Sequence, residues 1–296
     1  MHGSYLKEFP WPRFMEFISL QAERFTIIRE LLEKAELDYK VFEIAGNRHF
    51  VLAPPIPEEK YLRRPPIILV AHYDRAPGSP GANDNSAGVF ILLETALKLK
   101  RRDVKNWIII FTDKEEIKSG ESIQSQGAYT LALGFKKLAM EDAKIFCFDV
   151  CGVGDTLIIS TTVEYLLKKE EGADKLHKSL MELQKLALDT ARNLSMKKAL
   201  LAPTPFSDDA GFFRAGLAAQ TITMLPSAEC IQLVAELRKD PDFAEALINI
   251  ELQNSRRAKS IPETWRSLNS RSDSPLRLTP QHFRTVVRFA EELCRG

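Results

Sequence analysis

Apolar residues recur along this chain at two alternating spacings. Over the first forty residues they fall three and four positions apart, with Glu, Arg and Lys between them, which predicts helix. Two extended segments follow at 39–43 and 49–52, separated by a Gly-Asn turn. Further along, short apolar runs typical of buried strands alternate with helical patterns. The predicted strands are 67–71, 107–112, 145–150, 156–160 and 219–225, and the predicted helices are 87–100, 125–140, 172–194, 210–215 and 280–295.

This alternation predicts an α/β fold in three layers, α/β/α, with a mostly parallel, mixed central sheet covered by helices on both faces. A length of 296 residues is typical of one large α/β domain, so we expect residues 1–296 to form a single domain. Segment 226–265 is helix-prone, mixed in charge and placed between a strand and the last polar loop. It is either a surface helical hairpin or an insertion that walls a site or forms a dimer contact.

The charges of the chain nearly cancel, with 41 Lys and Arg residues against 40 Asp and Glu residues. A nucleic-acid surface or a funnel for acidic substrates needs a strong field of one sign, so we expect neither. No stretch approaches the roughly 18 consecutive apolar residues of a membrane span, and the first residues show no pattern of a targeting signal. We therefore expect a cytoplasmic protein without membrane contact. The sequence does not indicate an oligomeric state.

The numbers of cysteines and histidines limit the kinds of metal site. The four cysteines form no Cys-x-x-Cys pair, which argues against a thiolate zinc site. We expect Cys147, Cys151, Cys230 and Cys294 to be free, buried thiols in a reducing compartment. With only five histidines in the chain, any metal site must be built mostly from carboxylates.

Acidic or imidazole side chains directly follow the predicted buried strands. Ligands of open α/β sheets bind outside the carboxyl ends of the strands, so these side chains are the first candidates for chemistry. They are His72 and Asp74 after the first buried strand, Glu115 and Glu116 after the second, Asp149 after the third, and Ser207, Asp208 and Asp209 before a later helix. We expect them at one edge of the sheet, although Glu115 and Glu116 alone would also fit a solvated acidic turn.

The loop at 80–88 reads Pro-Gly-Ala-Asn-Asp-Asn-Ser-Ala-Gly and places one carboxylate, Asp84, at the start of a helix. Asp, Asn and Ser are favoured helix N-caps, so the loop could act only as a cap. Because His72 lies twelve residues upstream and further acids follow neighbouring strands, a metal site is the stronger interpretation.

Imidazole with several carboxylates and no thiolate suits zinc, with manganese or cobalt as alternatives. Several carboxylates around one imidazole exceed what a single catalytic zinc needs, which favours two ions about 3.5–4 Å apart that share a bridging carboxylate. Adjacent side chains point in different directions, so one of Glu115 and Glu116 can bind a metal while the other acts on water as a general base.

Together these motifs resemble those of a known family. They are His72-x-Asp74, the Gly-Ala-Asn-Asp-Asn loop around Asp84, Glu115-Glu116 after an apolar strand, Phe148-Asp149, and Ser207-Asp208 ahead of Phe212 and Gly216. In order and approximate spacing the chain resembles the co-catalytic zinc aminopeptidases of metallopeptidase family 28, which also contains the glutaminyl cyclases. The resemblance covers about residues 67–225 and implies the zinc-exopeptidase, phosphorylase/hydrolase-like architecture.

The resemblance implies a role for each matching residue. The implied metal ligands are His72 and Asp149 on the first zinc ion, Asp84 as the bridge between two ions, and Glu116 on the second. Asp74 would orient the imidazole of His72 from behind. Glu115 would be the general base that activates the attacking water. The resemblance also implies a cis peptide bond between Asp84 and Asn85.

One position departs from the family pattern. The family supplies its last ligand, a histidine on the second zinc, from a loop that here reads Asn-Ser-Arg-Ser-Asp, so that Asn269 stands at the ligand position. Leu268 precedes it, where active aminopeptidases often carry a tyrosine. Because Asn is a poor neutral ligand for zinc, we expect a weaker second site, with His282, Asp273 or a water as substitutes. The remaining histidines, which we expect to be surface or structural residues, are His2, His49 and His177.

The sequence therefore predicts a metal-dependent exopeptidase of the aminopeptidase type, with one or two zinc ions and a peptide or an amino-acid-derived small substrate. The main alternative is a catalytically degenerate family member that acts as a binding or scaffold protein. Asn269 and Leu268 favour that alternative, whereas the intact Glu115 and Glu116 oppose it. A glutaminyl cyclase-like acyl transferase is the lesser alternative, because that type keeps the last histidine. Further substrate-binding residues are not indicated.

Overall fold

The computed structural model of the protein describes residues 9–55, 64–118, 120–168, 170, 172–240, 242–248 and 259–296. Within these residues one sheet forms the framework, with the strand order β1-β2-β4-β3-β5-β8-β6-β7. The strands are β1 (Tyr39–Ile44), β2 (Asn47–Leu52), β3 (Ile67–His72), β4 (Trp107–Thr112), β5 (Lys144–Phe148), β6 (Thr156–Ser160), β7 (Ala199–Ala202) and β8 (Ala219–Leu225). Four neighbouring pairs are parallel and three are antiparallel, so the sheet is mixed and mostly parallel, as predicted.

The central strands explain why their sequences show no polar alternation. β3, β6 and β8 are buried at every position. A strand covered on both faces reads as a continuous run of apolar and β-branched residues, because each face packs against a helical layer. Ile68 and Val70 of β3 belong to the core on one face, and Leu69 belongs to the core on the other.

Helices cover both faces of the sheet, which confirms the three-layer α/β/α fold. The helices are α1 (Trp11–Phe17), α2 (Arg24–Lys34), α3 (Ala87–Arg101), α4 (Gly127–Lys137), α5 (Thr162–Leu167), α6 (Asp174–Asn193), α7 (Asp208–Arg214), α8 (Ser227–Lys239), α9 (Phe243–Ile248), α10 (Glu263–Arg266) and α11 (Phe283–Leu293). The core on one face includes residues of α1, α2, α3, α6 and α11. The core on the other face includes residues of α4 and α7.

The apolar pattern of the first forty residues forms two helices, α1 and α2, with a break between them. The break exposes backbone carbonyls that two arginines bind. Arg24 donates to the carbonyl of Phe17, and Arg75 donates to the carbonyls of residues 18–20. Arg75 lies three residues beyond the end of β3, so these bonds fasten the N-terminal helices to the edge of the sheet that carries the site.

Segment 226–265 contains α8, α9 and α10, while residues 241 and 249–258 lie outside the described residues. The apolar sides of these helices form a third cluster with residues of β6 and β8, including Ile158 and Leu225. The segment therefore packs on the part of the sheet next to the end of β5.

Two elements have no counterpart in the sequence prediction. β7 is a four-residue edge strand that is largely exposed, and α5 is a single short helix. Elements this short give too few positions for a period to be recognised. The four cysteines are free and buried, as predicted. Among the described residues, every helix is too short or too polar to cross a bilayer.

Candidate metal centre and active site

The carboxyl ends of three adjacent strands carry the polar residues singled out in the sequence. β3 lies between β4 and β5 and runs parallel to both, with His72 paired to Thr112. Because the strands are parallel, the residues that follow them meet at one edge of the sheet. His72 is the last residue of β3, the pair Glu115 and Glu116 comes shortly after β4, and Asp149 directly follows β5.

The loop at 80–88 brings Asp84 to the same edge. Gly81 has a φ of +59°, and a Cβ at this position would lie 2.6 Å from the carbonyl oxygen of Asp84, so the turn requires glycine. The peptide bond between Asp84 and Asn85 is cis, which confirms the prediction. The Nδ2 group of Asn85 donates to the carbonyl of Phe148 at 2.7 Å and so joins the loop to the end of β5.

Three side chains at this edge form a group suited to holding a metal ion. Nε2 of His72 lies 3.1 Å from Oδ1 of Asp84 and 3.4 Å from Oδ1 of Asp149. Ligands of a tetrahedral zinc ion with bonds of about 2.0–2.1 Å are about 3.3 Å apart, so the spacing fits zinc. All three side chains are buried, and neither His72 Nε2 nor Asp149 Oδ1 has a hydrogen-bond partner among the described residues. Unpartnered buried polar atoms of this kind are expected where a metal binds.

Asp74 organises the surroundings of this group. Its Oδ1 lies 3.4 Å from Nδ1 of His72. The same carboxylate accepts the backbone N–H groups of Glu115 at 3.1 Å and Glu116 at 3.0 Å. Burial alone would raise the pKa of Asp74, but its bonds to His72 and to the two amides outweigh burial and lower that pKa. One carboxylate therefore lies against the imidazole and accepts the backbone N–H groups of both glutamates.

Glu115 is held by Gln126, a residue that no sequence motif indicates. Nε2 of Gln126 donates to Oε1 of Glu115 at 3.1 Å and to the backbone carbonyl of Glu115 at 3.2 Å. Gln126 is 2% exposed, so water does not compete for these bonds. Burial is the main reason why the pKa of Glu115 lies well above its ordinary value, with Glu116 and Asp149 adding to the effect against the opposing influence of His72. A raised pKa suits a group that accepts a proton from water.

Asn269, for which the sequence predicted a departure from the family pattern, lies beside Glu116. When its amide is oriented so that the nitrogen faces the carboxylate, Asn269 donates to Oε1 of Glu116 at 2.7 Å and to Oε2 at 3.1 Å. The backbone of Asn269 has a φ of +56°, a left-handed conformation that Asn tolerates better than most residues. In this orientation Asn269 is a hydrogen-bond donor to Glu116.

The acids of the site raise one another's pKa. Burial raises the pKa of Glu116 to about 9, with Asp84 as the next contribution. Burial and Asp149 raise the pKa of Asp84. Burial by itself lowers the pKa of His72, but Asp149, Asp74 and Asp84 together bring that pKa well above its ordinary value. This excess of negative charge is of the kind that a bound divalent cation neutralises.

Arg24 is a second residue of the site that sequence reasoning missed. Its guanidinium donates to the carbonyls of Tyr73 and Asp74 at 3.0 Å each, to the carbonyl of Pro80 at 2.8 Å and to Oγ of Ser86 at 3.0 Å. These contacts join the segment after β3 to both ends of the loop that carries Asp84. Burial lowers the pKa of Arg24 to about 9.

Asp273 holds the same loop from the other side. Its Oδ1 accepts the N–H of Asn83 at 2.8 Å, and its Oδ2 accepts the N–H of Asp84 at 3.0 Å. Burial, followed by the charge of Asp84, raises the pKa of Asp273 to about 7. Both oxygens accept hydrogen bonds from backbone amides, so Asp273 supports the loop.

Residues 207–209 lie next to the end of β4. Oδ2 of Asp208 accepts a hydrogen bond from Thr112 at 2.7 Å, and Oδ1 of Asp209 accepts the N–H of Ser207 at 3.0 Å. All three residues are buried. Burial raises the pKa of Asp208 to about 7 and that of Asp209 to about 6.

The other histidines lie away from the metal-binding group or outside the described residues. His282 stands at the N-cap position of α11, where its side chain makes no capping hydrogen bond to the described residues, and it does not line the pocket described below. His49 is buried, and its Nδ1 accepts the N–H of Asp113 at 3.3 Å. Burial lowers the pKa of His49 to about 4, which keeps the ring neutral. His177 lies on α6, and His2 falls in the part of the chain that is not described.

The site opens onto a pocket of about 300 Å³. Its acidic side is formed by Asp84, Glu115, Glu116 and Asp149, with Asn269 beside them. Its apolar side includes Ile117, Ile123, Phe206, Leu247, Ile248 and Trp265. Arg266 also lines the pocket. A pocket with an acidic floor and an apolar wall suits a ligand that carries an amine next to an apolar side chain.

Comparison with known proteins gives a family match for most of this region. The family model described as Peptidase family M28 matches residues 55–246, about two thirds of the chain. The chain is also 39% identical to aminopeptidase YwaD of Bacillus subtilis over 69 residues, which are 23% of this chain and 14% of that protein.

Similar structures agree on the fold. A Zn-dependent exopeptidase from Parabacteroides distasonis matches with a TM-score of 0.60 and 13% identity, over 97% of each chain. A glutaminyl cyclase from Porphyromonas gingivalis matches with a TM-score of 0.57 and 16% identity, over 96% of this chain and 97% of that one. A zinc aminopeptidase from Bacillus subtilis matches with a TM-score of 0.52 and 17% identity over 83% of this chain, which spans about half (49%) of that protein.

Proposed function

The chain belongs to peptidase family M28, and on that premise we propose that it is a metal-dependent aminopeptidase. In the proposed reaction the oxygen of a water molecule bonds to the carbonyl carbon of the first peptide bond, and the C–N bond breaks. The products are a free amino acid and a peptide shortened by one residue, whose new amine carries a proton from the reaction. The observation that supports this most strongly is the convergence of His72, Asp84 and Asp149 next to Glu115.

His72, Asp84 and Asp149 would hold the metal ion, for which zinc is the best candidate and manganese or cobalt are alternatives. One neutral nitrogen and two carboxylates leave a fourth position open, which is typical of catalytic zinc sites. When bound, the ion polarises the scissile carbonyl and makes water more acidic. Asp74 would favour the imidazole tautomer whose Nε2 is free to bind the ion, since its carboxylate lies 3.4 Å from Nδ1.

Glu115 is the proposed general base. It would take the proton from the attacking water and pass a proton to the leaving amine. Gln126 restricts the carboxylate by donating to Oε1 at 3.1 Å, and Oε2 would face the substrate. The amine of the substrate would lie among the remaining carboxylates of the pocket floor.

We propose that the chain binds one metal ion tightly and has no second site of comparable affinity. The carboxylate of Glu116 is engaged by the Asn269 amide at 2.7 and 3.1 Å. An amide at this position donates a hydrogen bond where an imidazole would donate a lone pair to a metal. Glu116 with Asn269 is then available to bind the substrate amine.

The proposal predicts one zinc ion per chain and hydrolysis of aminoacyl-anilides that stops when a chelator removes the metal. Elemental analysis of the purified protein, paired with anilide hydrolysis, measures both. Glu115→Gln should keep the metal content and lower kcat by roughly 10²–10⁴-fold, because the substitution removes the base. Glu121→Gln is the matched control, since Glu121 is exposed and does not line the pocket. Undiminished turnover in Glu115→Gln would overturn the role of Glu115.

The same measurements separate this proposal from a binding or scaffold role. Asn269 and Leu268, both in the pocket wall, are the observations that favour a degenerate family member. Protein without metal and without chelator-sensitive hydrolysis would support that alternative. Formation of a cyclised product from an N-terminal glutaminyl peptide, in place of hydrolysis, would instead support an acyl transferase like the glutaminyl cyclases.

A further inference from the structure

Arg266 is a cation on the wall of an otherwise acidic pocket. The charged residues that line the pocket among the described residues are Asp84, Glu115, Glu116, Asp149 and Arg266. Four of these are carboxylates at the floor, where the proposed chemistry uses them. The guanidinium of Arg266, on the wall, plays no part in that chemistry.

Among the residues that the structure describes, the guanidinium of Arg266 has no partner. Within the described residues it forms neither a salt bridge nor a side-chain hydrogen bond, although it lines the same pocket as the four carboxylates. The side chain is exposed to the pocket and to solvent. An arginine whose donors are unused and solvated is ready to bind an anionic group of a ligand in the two-point manner that suits a carboxylate.

The backbone under Arg266 is, by contrast, fixed. Thr264, two residues earlier, donates from its backbone N–H and its hydroxyl to Glu229, at 3.0 Å each. Trp265, which directly precedes Arg266, is 5% exposed and packs in the third apolar cluster, which joins segment 226–265 to the sheet. Ser267 donates from its hydroxyl to the carbonyl of Thr264 at 2.8 Å. A free side chain on a fixed backbone limits the entropy lost when a ligand binds.

Arg266 and the acidic floor line the same small pocket. Arg266 is the last residue of α10, and Asn269, which contacts Glu116 on the pocket floor, follows three residues later in the turn after the helix. Both residues line the pocket of about 300 Å³. A dipeptide in extended form spans at most about 7 Å. A dipeptide is therefore the shortest peptide that presents an amine to the floor and a carboxylate to Arg266 within this volume.

We propose that Arg266 binds the C-terminal carboxylate of the substrate, so that the site is selective for dipeptides with an apolar first residue. This inference rests on the proposed function, because it assumes that the amine and the scissile bond lie at the acidic floor. The apolar first side chain would lie against Ile248 and Trp265. Longer peptides would lack a carboxylate at Arg266 and would bind more weakly.

The test compares leucylglycine with leucylglycinamide, which differ only in the terminal carboxylate. We expect the zinc-loaded wild type to cleave the acid with a kcat/KM about 10- to 100-fold above that of the amide, mainly through a lower KM. In Arg266→Gln the ratio of the two kcat/KM values should fall to about one. Arg271→Gln is the matched control, because Arg271 lies in the turn after α10, is exposed and does not line the pocket. It should keep the wild-type ratio.

The result that overturns the inference is a ratio near one in the wild type, or the same ratio in wild type and Arg266→Gln. Taking the ratio within each variant removes any effect of a substitution on folding or metal content. Leucyl-aspartate α-amide separates the two sources of a carboxylate. If it is cleaved as well as leucylglycine and loses this advantage in Arg266→Gln, then Arg266 binds an acidic side chain and the dipeptide selectivity is wrong.

A failure of the proposed function can be told apart from a failure of this inference. If no substrate is cleaved, the aminopeptidase proposal is wrong, and calorimetric titration of the chain with leucylglycine and its amide still tests Arg266. Binding of the acid at least tenfold tighter than the amide, with the difference lost in Arg266→Gln but kept in Arg271→Gln, would support the carboxylate site. Equal affinity for both compounds would overturn it.

Discussion

Arg24 makes five hydrogen bonds that join three separate segments around the metal centre. It contacts the end of α1, the residues after β3 and the loop that carries Asp84. Four of the five acceptors are backbone carbonyls, which would otherwise be buried without donors. The residue therefore holds the geometry of His72 and Asp84 without touching either side chain.

Arg24→Met should destabilise the protein strongly. Each buried acceptor left without a donor costs about 1–3 kcal/mol, so we expect the free energy of unfolding to fall by about 3 kcal/mol or more, together with weaker zinc binding. Urea denaturation and metal titration measure the two effects. Arg29→Met is the control, because Arg29 is exposed on α2 and its pairing with Glu33 at 4.0 Å should contribute less than about 1 kcal/mol. Equal losses in both variants would contradict the role of Arg24.

The residues at the site divide into those the sequence could indicate and those it could not. His72, Glu115 and Asp149 could be found because each follows a recognisable buried strand, and the carboxyl ends of parallel strands meet. Arg24 could not be found, because its acceptors after β3 and in the loop lie 49 to 62 positions away along the chain. The contact of Gln126 with Glu115 depends on how the turn between β4 and α4 folds, which no period or motif specifies.

At the scale of elements, segment 226–265 supplies part of the apolar wall of the pocket. The sequence left two interpretations of this segment, a surface hairpin or an insertion that walls a site. Leu247 and Ile248 of α9 and Trp265 of α10 line the pocket. These contacts support the second interpretation, and we propose that the segment determines which first side chain the pocket accepts.

Ile248→Phe tests this role of the segment. A larger side chain on the wall should exclude a phenylalanyl substrate more than an alanyl one, so we expect the kcat/KM ratio of phenylalanyl- to alanyl-anilide to fall about tenfold or more. Ile231→Phe is the matched control, because Ile231 lies on α8, is 72% exposed and does not line the pocket. Unchanged ratios in both variants would mean that α9 does not set specificity.

At the scale of the whole molecule, a nearly neutral chain concentrates buried acid at one edge of its sheet. The net charge is +1, yet Asp84, Asp149, Asp208 and Glu116 lie close enough to raise pKa values across the site. Without a cation this concentration opposes folding whenever the acids are ionised. A bound divalent ion removes the penalty, so metal binding and the stability of the single proposed domain, residues 1–296, should be coupled.

The pKa shifts determine how the stability of the metal-free chain changes between pH 7 and 9. The pKa of Asp208 and of Asp273 is raised to about 7, and that of Glu116 to about 9, in each case mainly by burial. Over this range the folded chain without metal binds more protons than the unfolded chain, so its stability falls as the pH rises. His72 adds to the same trend, because its pKa is also raised in the folded chain. Two groups act oppositely: His49, with a pKa lowered to about 4, only below this range, and Arg24, with a pKa lowered to about 9, only near its upper end.

We therefore expect the Tm of chelator-treated protein to decrease from pH 7 to pH 9, while the Tm of zinc-loaded protein changes less. The gap between the two should widen with pH, since ionised ligands bind the cation more strongly. Differential scanning calorimetry at fixed ionic strength measures both curves, and a single domain should give one transition in each. Asp84→Asn is the comparison variant, because it removes a ligand and should make Tm insensitive to zinc. A Tm that rises with pH in the absence of metal would show that the buried acids do not oppose folding.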